Sequence, residues 1–209
     1  MSFDAIVRKK RLFAPANGEY TREDRARCFA QQPLDLMPTY LAPILSTDPI
    51  YIPPLLHYGW TTTVTELMDL VIKICPEEIR YLKLKTGPVV SPARTLSTRR
   101  PIIAFLRHIG VPDDERIEYM TFQDSQSRVH AGIAAGNNYS GLPVESIPKL
   151  SEFFGKGETG KYYLDRKQWK WVIEPLESSG SSDKPPESES AAVEAEDRET
   201  TPTPASVAR

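Results

Sequence analysis

The sequence predicts an α+β fold, in which three to four short helices pack on a small antiparallel sheet, followed by a disordered C-terminal tail. Three observations support this prediction. Residues 63–74 carry apolar side chains at helical spacing, residues 117–122 are rich in β-favouring side chains, and residues 177–209 contain no aromatic residue and no Leu, Ile or Met. The chain of 209 residues has the length of one ordinary domain, which we place at 15–176.

The chain begins with a basic N-terminal arm, residues 1–14, which has four consecutive bases at 8–11. We interpret it as a solvated terminus, with a nuclear-localisation or nucleic-acid patch as the alternative. Thr21 is suited to cap a short helix that ends before Pro33. Residues 33–54 contain six prolines among apolar residues. Proline removes a backbone donor and favours extended geometry, so this stretch is predicted to wrap the core as an extended, irregular segment.

The clearest helix begins at Thr63, because Thr63 and Glu66 have the spacing of a capping box, and it should stop at Pro76. The following segment has two interpretations. Residues 76–82 suit a second short helix with proline in its first position, whereas residues 81–85 suit a strand, because polar and apolar side chains alternate there. The apolar stripe of the first helix consists of Leu67, Leu70, Val71 and Ile74.

Further elements are predicted in the second half of the chain. Residues 100–109 form a helix with a wide apolar face, residues 117–122 form a strand, and residues 147–154 form another helix. Residues 132–138 are small, and we interpret them as a segment that ends in a turn or loop.

Residues 161–173 fit either a helix or a β-hairpin. We favour a hairpin that turns near residues 166–167, because Trp169 and Trp171 are two residues apart and share a face only in a strand.

Charge is unevenly distributed along the chain. The net charge is −2 in total, −5 over residues 177–209 and +3 over residues 1–176. A mildly basic body therefore precedes an acidic tail rich in Ser, Pro and Glu, which cannot bury enough apolar surface to offset its ordering entropy. No run of 18 apolar residues occurs, so we predict no membrane partner. Cys28 and Cys75 are interpreted as buried apolar groups in a reducing compartment, cytoplasmic or nuclear.

One glycine-rich segment, residues 155–162, invites a nucleotide-binding interpretation. It matches Gly-x-Gly-x-x-Gly and misses a Walker A motif by one residue, because Tyr162 stands where Ser or Thr is needed to hold Mg²⁺. Too few foldable residues follow for a crossover connection to a parallel strand. We therefore predict a loop here, and no cofactor.

Metal and catalytic sites are weakly indicated. The three histidines are isolated from one another and from the cysteines, so we predict no metal site. Asp124, Ser127 and His130 are a local acid, serine and histidine, but real triads are assembled across a fold, so we assign no catalytic residue. If the chain is an enzyme, His130 is the candidate histidine.

Nucleic-acid binding has a more specific signal in residues 156–171. Five bases there interleave with four aromatic residues, and such a segment suits single strands, because aromatic rings stack on bases and cations neutralise phosphates. The candidate nucleic-acid-binding residues are Lys161, Tyr163, Arg166, Lys167, Trp169 and Lys170.

The leading functional hypothesis is a non-enzymatic, intracellular protein-binding or adaptor protein. It rests on the lack of catalytic signatures, the basic body with its acidic tail, and the proline-rich segment. A single-stranded nucleic-acid-binding module that uses residues 156–171 is the alternative, and an enzyme of unrecognised family is the second alternative.

Overall fold

A four-stranded antiparallel sheet organises the computed structural model, which describes residues 3–43 and 51–173. These residues belong to the first of two units into which the chain divides, Met1–Leu176 and Glu177–Arg209. The predicted α+β class is confirmed. The prediction of a disordered tail concerns residues outside the described ranges.

The described residues contain eight strands and six helices. The strands are β1 (Tyr51–Ile52), β2 (Leu56–Thr62), β3 (Tyr81–Leu84), β4 (Gly87–Val90), β5 (Ile117–Gln123), β6 (Val129–Asn137), β7 (Lys161–Leu164) and β8 (Val172–Ile173). The helices are α1 (Asp4–Arg8), α2 (Arg22–Ala30), α3 (Val64–Ile74), α4 (Pro92–Leu96), α5 (Arg100–His108) and α6 (Ile147–Phe154).

Strand order in the main sheet is β5-β6-β2-β7, and every pairing is antiparallel. The sheet is strongly curled. In a flat sheet its two edge strands would lie about 14 Å apart, three strand spacings, yet Cα atoms of β5 and β7 approach within 8 Å. The Phe122 and Tyr163 rings meet between them, with centroids 4.4 Å apart.

Local sequence signals explain the helices that were predicted. Thr63 and Glu66 cap α3 reciprocally: the Thr63 hydroxyl accepts from the Glu66 N–H at 3.1 Å, and the Glu66 carboxylate accepts from the Thr63 N–H at 3.0 Å. Thr21 caps α2 in the same way, with Asp24 as its partner. The predicted helices at 100–109 and 147–154 are also present, as α5 and α6.

Two clusters of buried side chains form the core. The helix cluster packs α3, α5 and α6 on one face of the main sheet, around Trp60, Phe105 and Ile133. The terminal cluster joins the two ends of the described chain, and Trp171 donates from its indole N–H to the Leu12 carbonyl at 2.9 Å. Its other members include Ile6, Phe13, Cys28, Phe29, Leu41, Leu56 and Trp169.

Several expectations differ from the structure. The prediction of a hairpin at 161–173 is wrong. β7 pairs with β2 and β8 pairs with β1, and both tryptophans lie in the irregular segment between β7 and β8. The N-terminal segment is packed rather than solvated, because its apolar residues join the terminal cluster. Residues 76–84 combine both interpretations, a single 3₁₀ turn at Pro76–Glu78 followed by strand β3.

The small-residue segment 132–138 belongs mainly to β6, the longest strand described, and it ends in the expected turn. Of the proline-rich segment 33–54, residues 44–50 lie outside the described ranges. In the described part, Leu34 bridges Tyr162, and the Asn138 side chain donates to the Pro54 carbonyl at 2.9 Å.

Candidate functional site

The aromatic members of the predicted nucleic-acid site are core residues. Trp169 is 8 % exposed and packs edge-on against Tyr20 at 5.1 Å between centroids, and Tyr163 is 6 % exposed against Phe122. Stacking on a base requires an open ring face. Neither ring has one in this conformation.

The cationic members of that set lie at three separate places. Lys161 is ion-paired with Asp35 at 3.3 Å, and the Lys170 ammonium lies over the Trp169 ring at 5.1 Å. Arg166 and Lys167 are exposed on the loop that follows β7. The structure therefore keeps only Arg166 and Lys167 together.

Those two residues line a surface cavity of about 690 Å³, which we call the basic cleft. Arg25 of α2 adds a third cation, and three successive residues of β5 form the opposite wall. This size falls within the range of ligand-binding pockets. The cleft is lined by Arg25, Tyr119, Met120, Thr121, Asp165, Arg166 and Lys167.

Asp165, the acid of the cleft, is engaged by the protein itself. One carboxylate oxygen accepts from the backbone N–H groups of Lys167 and Gln168, each at 2.7 Å, and the other lies 3.1 Å from His57 Nε2. Burial raises the pKa of Asp165, but these hydrogen bonds outweigh burial and lower it to about 2. The carboxylate therefore holds the 165–168 turn in place, and its hydrogen-bonding capacity is largely used.

Arg25 is positioned by the capped helix α2. Its guanidinium lies over the Phe29 ring at 5.5 Å and donates to the Arg166 carbonyl at 3.4 Å. Neither Arg25, Arg166 nor Lys167 forms an ion pair with another residue in the described ranges. The cleft thus presents three cations whose charge is only partly offset, by Asp165.

The cleft borders an unpaired sheet edge, because β5 pairs only with β6. Antiparallel ladders alternate between residues whose N–H and C=O point to the partner strand and residues whose groups point away. The Gly136 N–H donates to the Arg116 carbonyl at 2.8 Å, which fixes the even-numbered residues of β5 as inward-pointing. The odd-numbered residues therefore point outward, and the Ile117 N–H accordingly bonds outside the sheet, to the Asp114 carbonyl at 2.9 Å.

Three outward-pointing residues remain along this edge: Tyr119, Thr121 and Gln123. No hydrogen bond from their backbone groups to another described residue is found outside the sheet pairing. Sequence reasoning predicted β5 as a strand but could not place it at an edge, because strand order depends on long-range pairing.

A second cavity, the glycine-loop groove, has a volume of about 440 Å³ beside residues 155–160. Lys156 pairs there with Glu66 at 3.0 Å, and the Trp60 indole N–H donates to the Glu158 backbone carbonyl at 2.8 Å. Strand β7 follows the loop, where a phosphate-binding loop requires a helix. This arrangement supports the interpretation of the segment as a loop.

Asp124 and His130 do come together, at 2.9 Å, at the tip of the β5–β6 hairpin. The hydrogen bond from His130, together with those from Arg128 and Gln126, outweighs the opposing effect of burial and holds the pKa of Asp124 well below its usual range. In the described ranges no hydrogen bond joins Ser127 to His130, and His130 lines neither the basic cleft nor the glycine-loop groove. The pair closes the turn, because Asp124 also accepts from the Gln126 and Arg128 N–H groups at 2.9 Å.

The hairpin formed by β3 and β4 exposes a group of apolar side chains, and we call it the apolar hairpin. It pairs with no other described strand. Leu84 is 54 % exposed and Val89 is 48 % exposed, and they share one face with Leu82. Its base is fixed to α4, because the Arg80 N–H donates to the buried Thr95 hydroxyl at 2.9 Å.

The apolar hairpin lies in a basic stretch of sequence. Residues 79–112 contain seven bases and no acid, a signal that the sequence offers directly. Glu78 partly offsets two of the bases, since it contacts Arg80 at 3.0 Å and Arg100 at 3.6 Å. Lys83 and Lys85 remain exposed on the hairpin without an ion pair to another residue in the part of the chain described.

Within residues 3–43 and 51–173, no helix is long and apolar enough to cross a bilayer. The same residues contain no group of three or more His, Cys, Asp or Glu side chains that could hold a metal ion. Comparisons with protein-family models, with curated proteins and with solved structures find no match to this chain.

Proposed function

We propose that this chain is a non-enzymatic, intracellular protein-binding module that docks a partner protein on the apolar hairpin. The observation that carries the proposal is the exposure of Leu84 and Val89 on a two-stranded sheet that no other described element covers. Contiguous exposed apolar side chains of this kind mark protein–protein contact sites.

The energetics of the hairpin favour a partner. A two-stranded ladder is marginally stable by itself. The described hydrogen bonds that anchor this one, at Arg80 and Ser91, all lie at its base. Full burial of a Leu or Val side chain contributes about 1.5–3 kcal/mol. A partner that covers Leu82, Leu84 and Val89 would therefore gain affinity and order the ladder at the same time.

The charges around the hairpin indicate the chemistry of the partner. Lys83 lies on the opposite face of the ladder and Lys85 in its turn, both exposed next to the apolar face, and Arg94 of α4 is exposed close by in sequence. An apolar surface with an acidic rim complements this arrangement, since rim charges accelerate association and select partners. The proposed partner is accordingly a protein with an apolar patch bordered by Asp or Glu.

A double variant tests the proposal. Leu84→Thr/Val89→Thr removes apolar surface and retains β-favouring residues. We expect the melting temperature to stay nearly unchanged, because both side chains are exposed, and partner proteins captured from an extract of the native cells to be lost. The readout is quantitative mass spectrometry of proteins retained by the immobilised full chain.

Val144→Thr/Val172→Thr is the matched control, because both valines are exposed elsewhere on the surface. The control should retain the same proteins as the wild type. Equal retention by the hairpin variant, or equal loss by the control, contradicts the proposal.

The two alternatives are less well supported by geometry. The nucleic-acid hypothesis retains Arg166 and Lys167 but has Trp169 and Tyr163 in the core. The enzyme hypothesis retains an Asp124–His130 pair that lies outside both large cavities. Both remain predictions.

A further inference from the structure

The free edge of β5 and the basic cleft form a second binding surface, separate from the apolar hairpin. Tyr119 and Thr121, two of the three residues with outward-pointing backbone groups, also line the cleft. Backbone donors and acceptors therefore face the same space as the three cations.

This edge lacks the sequence features that block strand addition, but β7 covers part of it, with Cα atoms within 8 Å of β5. The part that remains open is the basic cleft beside Tyr119 and Thr121. Natural edges are protected by proline, lysine, a bulge or a covering element. β5 contains no Pro and no Lys, and its register with β6 is regular over all seven residues. Thr121 at its centre is exposed.

The opposite wall supplies a charge preference. Arg25, Arg166 and Lys167 face the cleft, and Asp165, the acid among the lining residues, is held by His57 and by two backbone N–H groups. An extended peptide presents alternate side chains on the same side. A strand added to β5 with acidic residues at alternate positions would place its carboxylates toward these cations.

We infer that the β5 edge binds an extended acidic segment of a partner protein as an added β-strand, with Arg25, Arg166 and Lys167 contacting its carboxylates. The backbone of Tyr119 and Thr121, which line the cleft, supplies the hydrogen bonds, and the cations select the acidic segment. A single-stranded nucleic acid fits the same cations less well, because the rings of Trp169 and Tyr163 are packed in the core and cannot stack on bases.

The test uses the full chain and fluorescein-labelled peptide probes, read by fluorescence anisotropy. The first probe is acetyl-Thr-Glu-Val-Glu-Thr-Glu-Val-amide, which has its glutamates on one face when extended. Two further probes have the same sequence with N-methyl groups on alternate residues. One is methylated on the odd-numbered residues of the peptide and the other on the even-numbered residues, so that each blocks one of the two strand registers. We expect saturable binding of the first probe and loss of binding for at least one methylated register, because strand addition needs backbone donors.

Two variants test the two walls. Arg166→Gln/Lys167→Gln should weaken binding roughly five- to tenfold, the scale of two exposed charge pairs, and should reduce its salt dependence. Thr121→Pro removes an outward N–H and leaves the N–H groups of Met120 and Phe122 paired with β6, so it should fold and lose binding.

Matched controls separate this surface from general charge and from the hairpin. Lys73→Gln/Arg107→Gln removes two exposed charges elsewhere, and Leu84→Thr/Val89→Thr alters only the apolar hairpin. Both should bind the first probe like the wild type.

Four outcomes overturn the inference: no saturable binding of the first probe, undiminished binding of both methylated registers relative to the first probe, an equal loss in the charge control, or displacement of the probe by an oligothymidylate that itself binds through Arg166 and Lys167. The last outcome would identify a nucleic-acid site. A folding failure of Thr121→Pro leaves the methylated probes to decide the backbone contribution.

Discussion

At the scale of single residues, Asp24 is the most heavily engaged buried carboxylate described. It accepts hydrogen bonds from the Ala16 N–H at 3.0 Å and the Thr21 N–H at 2.8 Å, and it pairs with Arg27. Burial raises the pKa of Asp24, but the hydrogen bonds from Arg27, Thr21 and Ala16 outweigh burial and lower it from 3.8 to about 2. The same side chain fixes the start of α2, which carries Arg25 into the basic cleft.

The pH dependence of stability follows from that lowered pKa. Because the folded pKa lies below the unfolded one, the contribution of Asp24 is complete above about pH 4 and is lost as the pH falls toward about 2. We expect the wild type to lose about 2 kcal/mol from this group over that range, on top of the losses from Glu66 and Asp165, whose pKa values are lowered to about the same value.

Urea unfolding at pH 7, 4 and 2 measures this contribution. Asp24→Asn should be less stable than the wild type at pH 7 and should approach it at pH 2, whereas Glu23→Gln, in the same helical turn, should follow the wild type throughout. A constant difference between Asp24→Asn and the wild type across all three pH values contradicts the assignment.

At the scale of elements, the curl of the main sheet depends on small residues in β6 and β2. A Cβ added at Gly132 would contact the Phe122 ring and the Trp60 carbonyl, and one added at Gly59 would contact the Ile133 carbonyl. These contacts involve neighbouring strands and a packed ring, which cannot move away freely.

Gly132→Ala should therefore lower the free energy of unfolding by about 2 kcal/mol or more, measured by urea denaturation. Thr121→Ala, on the exposed part of neighbouring β5, should change it by about 0.5 kcal/mol or less. Wild-type stability in Gly132→Ala would show that the sheet can open to accept a methyl group, contrary to the tight packing described.

The same elements show what could be predicted from the sequence. α2 and α3 were predictable because capping and apolar spacing are local properties, visible at Thr21 and Thr63. Neither β2 nor β6 was identified as a strand, because Gly59 and Gly132 are poor strand formers whose presence is explained only by neighbours distant in sequence. The hairpin predicted at 161–173 was wrong for the same reason: the partners of β7 and β8 are β2 and β1.

At the scale of the whole molecule, the terminal cluster joins the beginning and the end of the described chain. Phe13 is fully buried there, and the Trp171 backbone N–H donates a hydrogen bond to the Tyr20 hydroxyl oxygen at 2.9 Å. The irregular segment that carries Trp169 and Trp171 is therefore held mainly by side chains from residues 3–43.

Phe13→Ala should cost about 3–5 kcal/mol of stability and shift the tryptophan emission to longer wavelength. The exposed Arg8→Ala, in the same N-terminal segment, should change neither property. If Phe13→Ala kept the wild-type emission and melting temperature, the terminal cluster would not hold the C-terminal segment.

The candidate sites were predictable only in part at this scale. The cations at Arg166 and Lys167 were identified from the interleaved pattern, but the pattern could not distinguish a stacking platform from a core. The basic cleft needs Arg25 and β5, which lie more than 30 residues from that segment, and the apolar hairpin is recognisable only once no other element covers it.

The two core clusters also divide the cysteines between them. Cys28 lies in the terminal cluster and Cys75 in the helix cluster, and both side chains are buried. Burial is the main cause that raises the pKa of each thiol to about 11. Because the thiolate is the reactive form, either sulfur is alkylated only after its own cluster opens. The protein therefore carries one native chemical reporter in each half of its core, and the labelling rates of Cys28 and Cys75 distinguish opening of the ends from opening of the sheet and its helices.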